Sequence, residues 1–216
     1  IKSNRAGGWS PGSFGRTDAG TTIRIAHAGE ILSNGPQVLV GFWHSPTASA
    51  EVIDDDGWFH SGVIGELDEQ GFLKITGRKK ELLVTAAGKN VAPAPLEDRL
   101  RAHPLVSQAV VLGDQRPFIA ALITIDDEAF ADWAQEHGRA GSAVGDAADS
   151  AELRAVIAGA VADANTSVSR AESIREFVIL PRDLSIEADE LTPTLKVRRA
   201  TVLARYEAAI SSIYGA

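Results

Sequence analysis

The chain has 216 residues, 44% hydrophobic and 23% charged, with a net charge of -8 and a pI near 5.1. That length allows one large domain or two small ones with a real core, and the acidic balance argues against general nucleic-acid binding, which needs a concentrated basic surface. The absence of cysteine excludes a disulfide scaffold and a Cys-ligated metal site, and makes a reducing compartment the natural setting.

Residues 1–20 are rich in Gly, Ser and Arg and read as loop. From Thr21 the texture changes: "TTIRIA" alternates, "GEILSNG" is a short strand ending in an Asn-Gly turn, and "PQVLVGFW" reads as another strand. "SPTASAEVI" suits one or two helical turns closed by the acidic turn "DDDG", and "ELDEQGFLKITG" reads as strand, turn, strand. Short strands with regular turns suggest a small barrel or sandwich. After Arg78 the pattern switches. "APLEDRLRAH" is a short helix, "SQAVVLG" and "FIAALITID" are apolar enough for central strands, and "DEAFADWAQEHG" is a helix with an acidic first turn. "AGSAVGDAADS" reads as loop, and Leu153, Ile157, Val161, Ala164 and Val168 then form the apolar stripe of a longer helix. "IREFVILP" is a strand, and "KVRRATVLARYEAAISSIYG" is a single closing amphipathic helix. The expected class is α+β: a β-rich subdomain over 1–78, then a mixed unit over 79–216.

No apolar run approaches the roughly 18 residues needed to span a bilayer, and the N-terminus is not a signal peptide. The sequon-like Asn165-Thr166-Ser167 therefore reads as chance. Methionine is absent and the chain begins at Ile1, so the sequence reads as a piece of a larger protein.

The common chemical signatures are missing: no GxxxxGK[ST] phosphate loop, no HExxH and no GxSxG elbow. The five histidines (27, 44, 60, 103, 137) lack ligand spacing, and Asp54-Asp55-Asp56 reads as a solvated turn, so no metal site is expected. "GGWSPGSFG" is glycine-rich but neither follows a clear strand nor opens a helix. What remains is basic residues beside flexible backbone. Arg78 follows Gly77 at a strand end, where its fork of donors suits vicinal hydroxyls or a phosphate, or is an ordinary surface cation. Lys196 lies in "LTPTLKVRR", a stiffened loop before the last helix, where its point charge suits an anion whose charge grows during reaction. Three basic residues in four at a helix N-terminus oppose the macrodipole, which hints at an anionic partner.

Taken together, "GPQVLVGFWHSPTASAEVI…DGWFHSGVIGELDEQGFLKITGRKKELLVTAAGKNVAPAPLED" and the later "LTPTLKVRR" resemble the adenylate-forming acyl-CoA synthetase superfamily, and within it long-chain fatty acid–CoA ligases. The resemblance runs over essentially the whole chain with its motifs in order. It implies that ATP and a fatty acid give an acyl-adenylate and pyrophosphate, after which CoA displaces AMP. The phosphate loop, adenine segment, acyl tunnel and most Mg2+ contacts would belong to an N-terminal adenylation domain not visible here. The present chain would be the last, β-barrel-like subdomain of that part plus the mobile C-terminal domain, expected to be inactive alone.

By matching positions, Arg78 resembles the ribose-holding arginine, Lys80 the hinge, and Lys196 the lysine that bridges the substrate carboxylate and α-phosphate. Gly88 and Lys89 lie in the loop that lines the CoA pantetheine channel. The motif usually reading Thr-Gly-Asp is here Ser61-Gly62-Val63, so Val63 stands where a ribose-binding carboxylate is usual. That departure keeps a non-catalytic pseudoenzyme open, and a fatty acyl-AMP ligase that serves a carrier protein is the other alternative. The resemblance implies a cytoplasmic setting. Peripheral membrane contact suits such substrates, although nothing in these residues encodes it.

Overall fold

The computed structural model describes residues 2–3, 8–27 and 29–215; Ile1 and residues 4–7 of the opening loop lie outside the described residues. The chain divides into two compact units, one ending at Leu82 and the other starting at Leu83.

In the first unit, β1 (Lys2–Ser3) pairs antiparallel with β2 (Arg16–Thr17), where a loop was expected. A four-stranded antiparallel meander follows: β3 (Thr22–Ile25), β4 (Glu30–Asn34), β5 (Phe59–Leu67) and β6 (Leu73–Arg78). It curls into a half-barrel. Between β4 and β5, α1 (Pro46–Val52) starts with Pro46 in its first turn, where the missing N–H has no partner to lose.

The strand expected over residues 36–43 does not form. Asn34 anchors the preceding turn by donating to the Gly57 carbonyl at 2.8 Å. The Val38 N–H bonds the Gly35 carbonyl at 3.0 Å, and the Phe42 N–H bonds the Ser49 hydroxyl at 2.8 Å. Those donors, together with the N–H that Pro36 lacks, are unavailable to a ladder. Val40 and Trp43 stand exposed.

The second unit opens with a hairpin, β7 (Leu83–Val84) and β8 (Asn90–Val91), then α2 (Pro93–Arg101). Its sheet has the order β11-β10-β9, built from β9 (Val106–Leu112), β10 (Ile119–Ile125) and β11 (Ile174–Ile179). β9 and β10 are antiparallel, whereas β10 and β11 are parallel. A parallel pair needs a long crossover, supplied by α3 (Asp127–Glu136), the short α4 (Val144–Ala147) and α5 (Ala151–Asn165). The expected loop over 140–150 thus holds α4, whose Val144 and Ala147 are buried. Asp126 and Ser150 cap α3 and α5 by accepting from the N–H of Ala129 and Leu153.

Every residue of β10 is buried, so both faces of the sheet are covered. Odd-numbered Ile119, Ala121, Ile123 and Ile125 join a cluster with Leu96, Leu100, Leu153 and Ile157. Even-numbered Ala120 and Leu122 join a second cluster with Leu180, Leu184, Leu191 and Val202. The closing helix is two: α6 (Arg199–Arg205) and α7 (Glu207–Tyr214). They part at Tyr206, whose hydroxyl donates to the buried Glu190 carboxylate at 3.3 Å. α6 begins only at Arg199 because Val197 is engaged in a bridge with Leu191.

Candidate functional site

In the first unit, the structure brings Val63 and Arg78 together. They are direct cross-strand partners on β5 and β6, so their side chains share one face of the sheet. Val63 closes a bulge. Leu32 pairs with His60 and Glu30 with Ile64, which leaves Ile31 alone facing Ser61, Gly62 and Val63. Bulges of this kind re-aim side chains and recur beside binding sites. This one is fixed chemically: the Ser61 hydroxyl donates to the Ile31 carbonyl at 2.6 Å and accepts from the Val63 N–H at 3.1 Å. Gly62 sits at φ +67°, a left-handed conformation that favours glycine. The Arg78 side chain is exposed and has no hydrogen-bond or ion-pair partner among the described residues.

Arg78 is extended (φ -116°, ψ 140°), and Lys79–Glu81 form a tight 3-10 turn before Leu82 becomes extended again. Lys80 lies in that turn, exposed and without a partner among the described residues. Lys79 differs from its neighbours, because its ammonium bonds Glu30 Oε2 at 2.8 Å. The Glu30 carboxylate, at 3% exposure, also accepts from the Gly62 N–H at 3.0 Å and lies 3.3 Å from His60 Nδ1. Burial opposes its ionisation, but the bonds from Lys79, His60 and Gly62 outweigh burial and hold the carboxyl below its usual range.

In the second unit, Gly88 and Lys89 share the loop of the β7–β8 hairpin. The Gly88 N–H bonds the Thr85 carbonyl at 2.8 Å, and Gly88 takes φ +78° with open space where a Cβ would stand. The hairpin is pinned to the β9–β10 turn, since Ala86 and Gln115 exchange backbone bonds with Arg116 and Val84. Lys89 is already committed to Glu172, 3.3 Å away. Burial works against the Glu172 charge, yet bonds from Ser169 and Lys89 hold its carboxyl low.

Lys196 rides a separate hairpin-like loop. Leu191 bridges Val197, the Thr192 N–H bonds the Lys196 carbonyl at 2.8 Å, and the Lys196 N–H bonds the Thr192 hydroxyl at 3.0 Å. The Lys196 side chain is exposed, with no ion-pair partner among the described residues. The two loops are rooted on opposite faces of the same sheet. The β7–β8 hairpin buries Leu83 and Val91 in the first cluster, whereas the Lys196 loop buries Leu191 and packs Val197 in the second.

Sequence reasoning passed over the groups that hold these loops. Glu30 looked like the polar start of a strand, and the signal available was "GRKK", three cations in need of an anion from elsewhere in the chain. Glu190, 0% exposed, sits at the base of the Lys196 loop and takes two 2.8 Å bonds from Arg182. Its own carbonyl accepts the Arg198 N–H at 2.7 Å. Among the described residues there is no group of three or more metal-ligating side chains. The Asp54 carboxylate caps its own turn through Asp56 and Trp58. No helix of the described residues is long and apolar enough to cross a membrane.

A family model described as "AMP-binding enzyme C-terminal domain" matches residues 80–216. Among curated proteins, the chain is 54% identical over 204 residues to the long-chain-fatty-acid–CoA ligase FadD15 of Mycobacterium tuberculosis, covering 94% of this chain and 34% of that protein. It is 34% identical over 225 residues to the rat long-chain-fatty-acid–CoA ligase ACSBG1, covering 94% of this chain and 31% of that one. The chain therefore spans about a third of the length of the curated relatives it matches. The adenylation domain of a carboxylate reductase from Mycobacterium chelonae shares the fold at a TM-score of 0.66 and 22% identity, over 93% of this chain and 29% of that one. MatB from Rhodopseudomonas palustris shares it at 0.60 and 23%, over 92% and 36%.

Proposed function

Because the chain belongs to the AMP-binding enzyme C-terminal domain family, we propose that it is the C-terminal part of a long-chain fatty acid–CoA ligase. The observation that carries the reading is the rooting of the Gly88 and Lys196 loops on opposite faces of one sheet. A two-step ligase has conflicting needs. Adenylation wants a cation where the fatty carboxylate attacks the α-phosphate and pyrophosphate leaves. Thioester formation wants space and backbone donors where the CoA thiol attacks the acyl carbonyl and AMP leaves. A unit that turns on a hinge and presents two faces in succession meets both.

In this reading residues 1–78 complete an N-terminal adenylation domain and residues 79–216 form the mobile domain. Arg78 holds the ribose and Lys80 is the pivot. Lys196 places positive charge at the phosphoryl centre. Gly88 lets the main chain approach the pantetheine arm, which a Cβ would obstruct. Lys89, paired with Glu172, steadies that loop rather than neutralising CoA. ATP, Mg2+ and the fatty acid would be held mainly by the two thirds of the relatives' length that lie outside this chain.

The test is palmitate-dependent ATP–pyrophosphate exchange by the full-length protein that contains this chain. Lys196→Ala should abolish exchange while largely sparing thioester formation from supplied acyl-adenylate. Equal loss in both half-reactions would sink the role of Lys196. Exchange without transfer to CoA would favour a carrier protein as acceptor, and no exchange with any fatty acid would overturn the ligase reading.

A further inference from the structure

We propose that Glu30 is a positioning residue that fixes the stationary end of the hinge. One buried carboxylate holds both the Ser61-Gly62-Val63 bulge and Lys79, so that the chain is free to pivot only from Lys80 onward. The hinge role of Lys80 rests on the ligase reading above; the anchoring itself rests on geometry.

The carboxylate divides its two oxygens between two loops. Oε1 takes the Gly62 N–H at 3.0 Å, one residue before Val63 and its partner Arg78. Oε2 takes the Lys79 ammonium at 2.8 Å and faces His60 Nδ1 at 3.3 Å. An ion pair between two exposed groups would hold little. Here the acceptor is 3% exposed while the Lys79 side chain is 51% exposed. Lys79 can reach water, but its departure would strand a buried charge that only Gly62 and His60 would then satisfy, and His60 is shared with Asp54 at 3.5 Å. The penalty for release falls on Glu30, which makes the tether stronger than its surface position suggests. Of the successive cations Arg78, Lys79 and Lys80, only the middle one has a side-chain partner among the described residues. Rotation about the Lys80 dihedrals leaves the pair in place, whereas rotation about the N–Cα bond of Lys79 swings the side chain that makes it.

The chain has no cysteine, so the exposed Glu69 and Asp132, one in each unit, can be replaced by Cys and labelled with a donor–acceptor dye pair for single-molecule distance distributions. If release of Lys79 lengthens the free segment Lys80–Leu82 by one or two residues, square-root chain scaling makes the distribution about 1.2- to 1.3-fold wider. Lys79→Ala and Glu30→Gln should each produce that widening, the double variant no more than either, and Lys79→Arg should restore the original width. Gly62 amide exchange should rise about tenfold or more in Glu30→Gln and stay slow in Lys79→Ala, which keeps the carboxylate and guards against a loss of folding in the Glu30 variant. Unchanged widths in Lys79→Ala, or additive widening in the double variant, would overturn the proposal. The dye readout needs no catalysis. A full-length protein without exchange activity would therefore refute the ligase reading while the widths still decide the anchor.

Discussion

Replacing Glu190 by Gln should destabilise the second unit by about 3 kcal/mol. Glu190 is fully buried and accepts two 2.8 Å bonds from the Arg182 guanidinium, one at 3.1 Å from the Ser185 N–H and one at 3.3 Å from the Tyr206 hydroxyl, with Arg205 3.5 Å away. Glutamine keeps the shape but turns an NH2 toward donors that need an acceptor. Removing one partner of a buried pair costs about 3–5 kcal/mol, and the lower end applies because the Arg182 side chain is 45% exposed and can be rehydrated. With a urea m-value of about 2 kcal/mol/M, the midpoint should fall by about 1.5 M, followed by the far-UV helix signal that comes mainly from this unit. The pH dependence supplies a second check. Burial opposes ionisation of Glu190, but Arg182 and the Ser185 N–H outweigh it, so its carboxyl is held below the usual carboxylate range. A depressed folded pKa contributes stability that is complete above the unfolded value and is lost as pH falls through the folded one. The gap between native chain and variant should be constant over about pH 6–8, begin to narrow as pH falls through the ordinary glutamate range of about 4.3, and close only in stronger acid, below the depressed folded pKa. A midpoint shift under about 0.3 M, or a gap undiminished in acid, would refute the assignment.

Val63→Asp should strengthen AMP binding by the full-length protein. Two charge-assisted hydrogen bonds to ribose hydroxyls at about 1.5–3 kcal/mol each correspond to roughly 10²- to 10⁴-fold. Calorimetry that showed no gain would mean that the bulge does not face a ribose. Gly88→Ala and Gly88→Leu should lose similar stability, about 1–2 kcal/mol of left-handed backbone strain, because φ is +78° and nothing stands within 4 Å of the Cβ position. A much larger loss for Leu in urea melts would show that the space is not open.

The sequence disclosed elements where pattern and burial agree. The stripe Leu153, Ile157, Val161 and Ala164 is buried along α5, although Val168, expected to continue it, lies beyond the helix end at Asn165, and the apolar run at Ile119–Ile125 is a central strand. It misled where apolar residues are left exposed. "PQVLVGFW" has strand composition, yet turn bonds occupy its backbone and Val40 and Trp43 face outward. The closing helix has one continuous amphipathic pattern, and no local signal marks the break at Tyr206, whose hydroxyl bonds Glu190 sixteen residues away. The same limit applies to the site. Arg78 and Lys196 drew attention because basic residues beside Gly, Pro and Thr are locally odd, whereas Lys80 and Gly88 entered only through the family resemblance. Glu30 was not, because its partners Gly62 and Lys79 are distant in sequence and an acidic strand residue looks ordinary until its burial is known.

The ion pairs separate cations that build the fold from those left available. Between residues 182 and 205, Arg182 and Arg205 meet Glu190, Arg198 meets Asp189 and Arg199 meets Glu97, while Lys196 alone has no ion-pair partner among the described residues. Around the 3-10 turn, Lys79 meets Glu30 while Arg78 and Lys80 on either side have no ion-pair partner among the described residues. A cation that must meet a transient anion cannot be held by its own side chain, since a standing carboxylate would compete with the ligand. Its position has to be set through its backbone neighbours. The Lys196 loop is tied at its backbone by the Glu190 carbonyl, which accepts the Arg198 N–H, and the stretch around Arg78 and Lys80 is tied by Glu30 through Lys79 and Gly62. Lys89 falls on the other side of this division by its bond to Glu172.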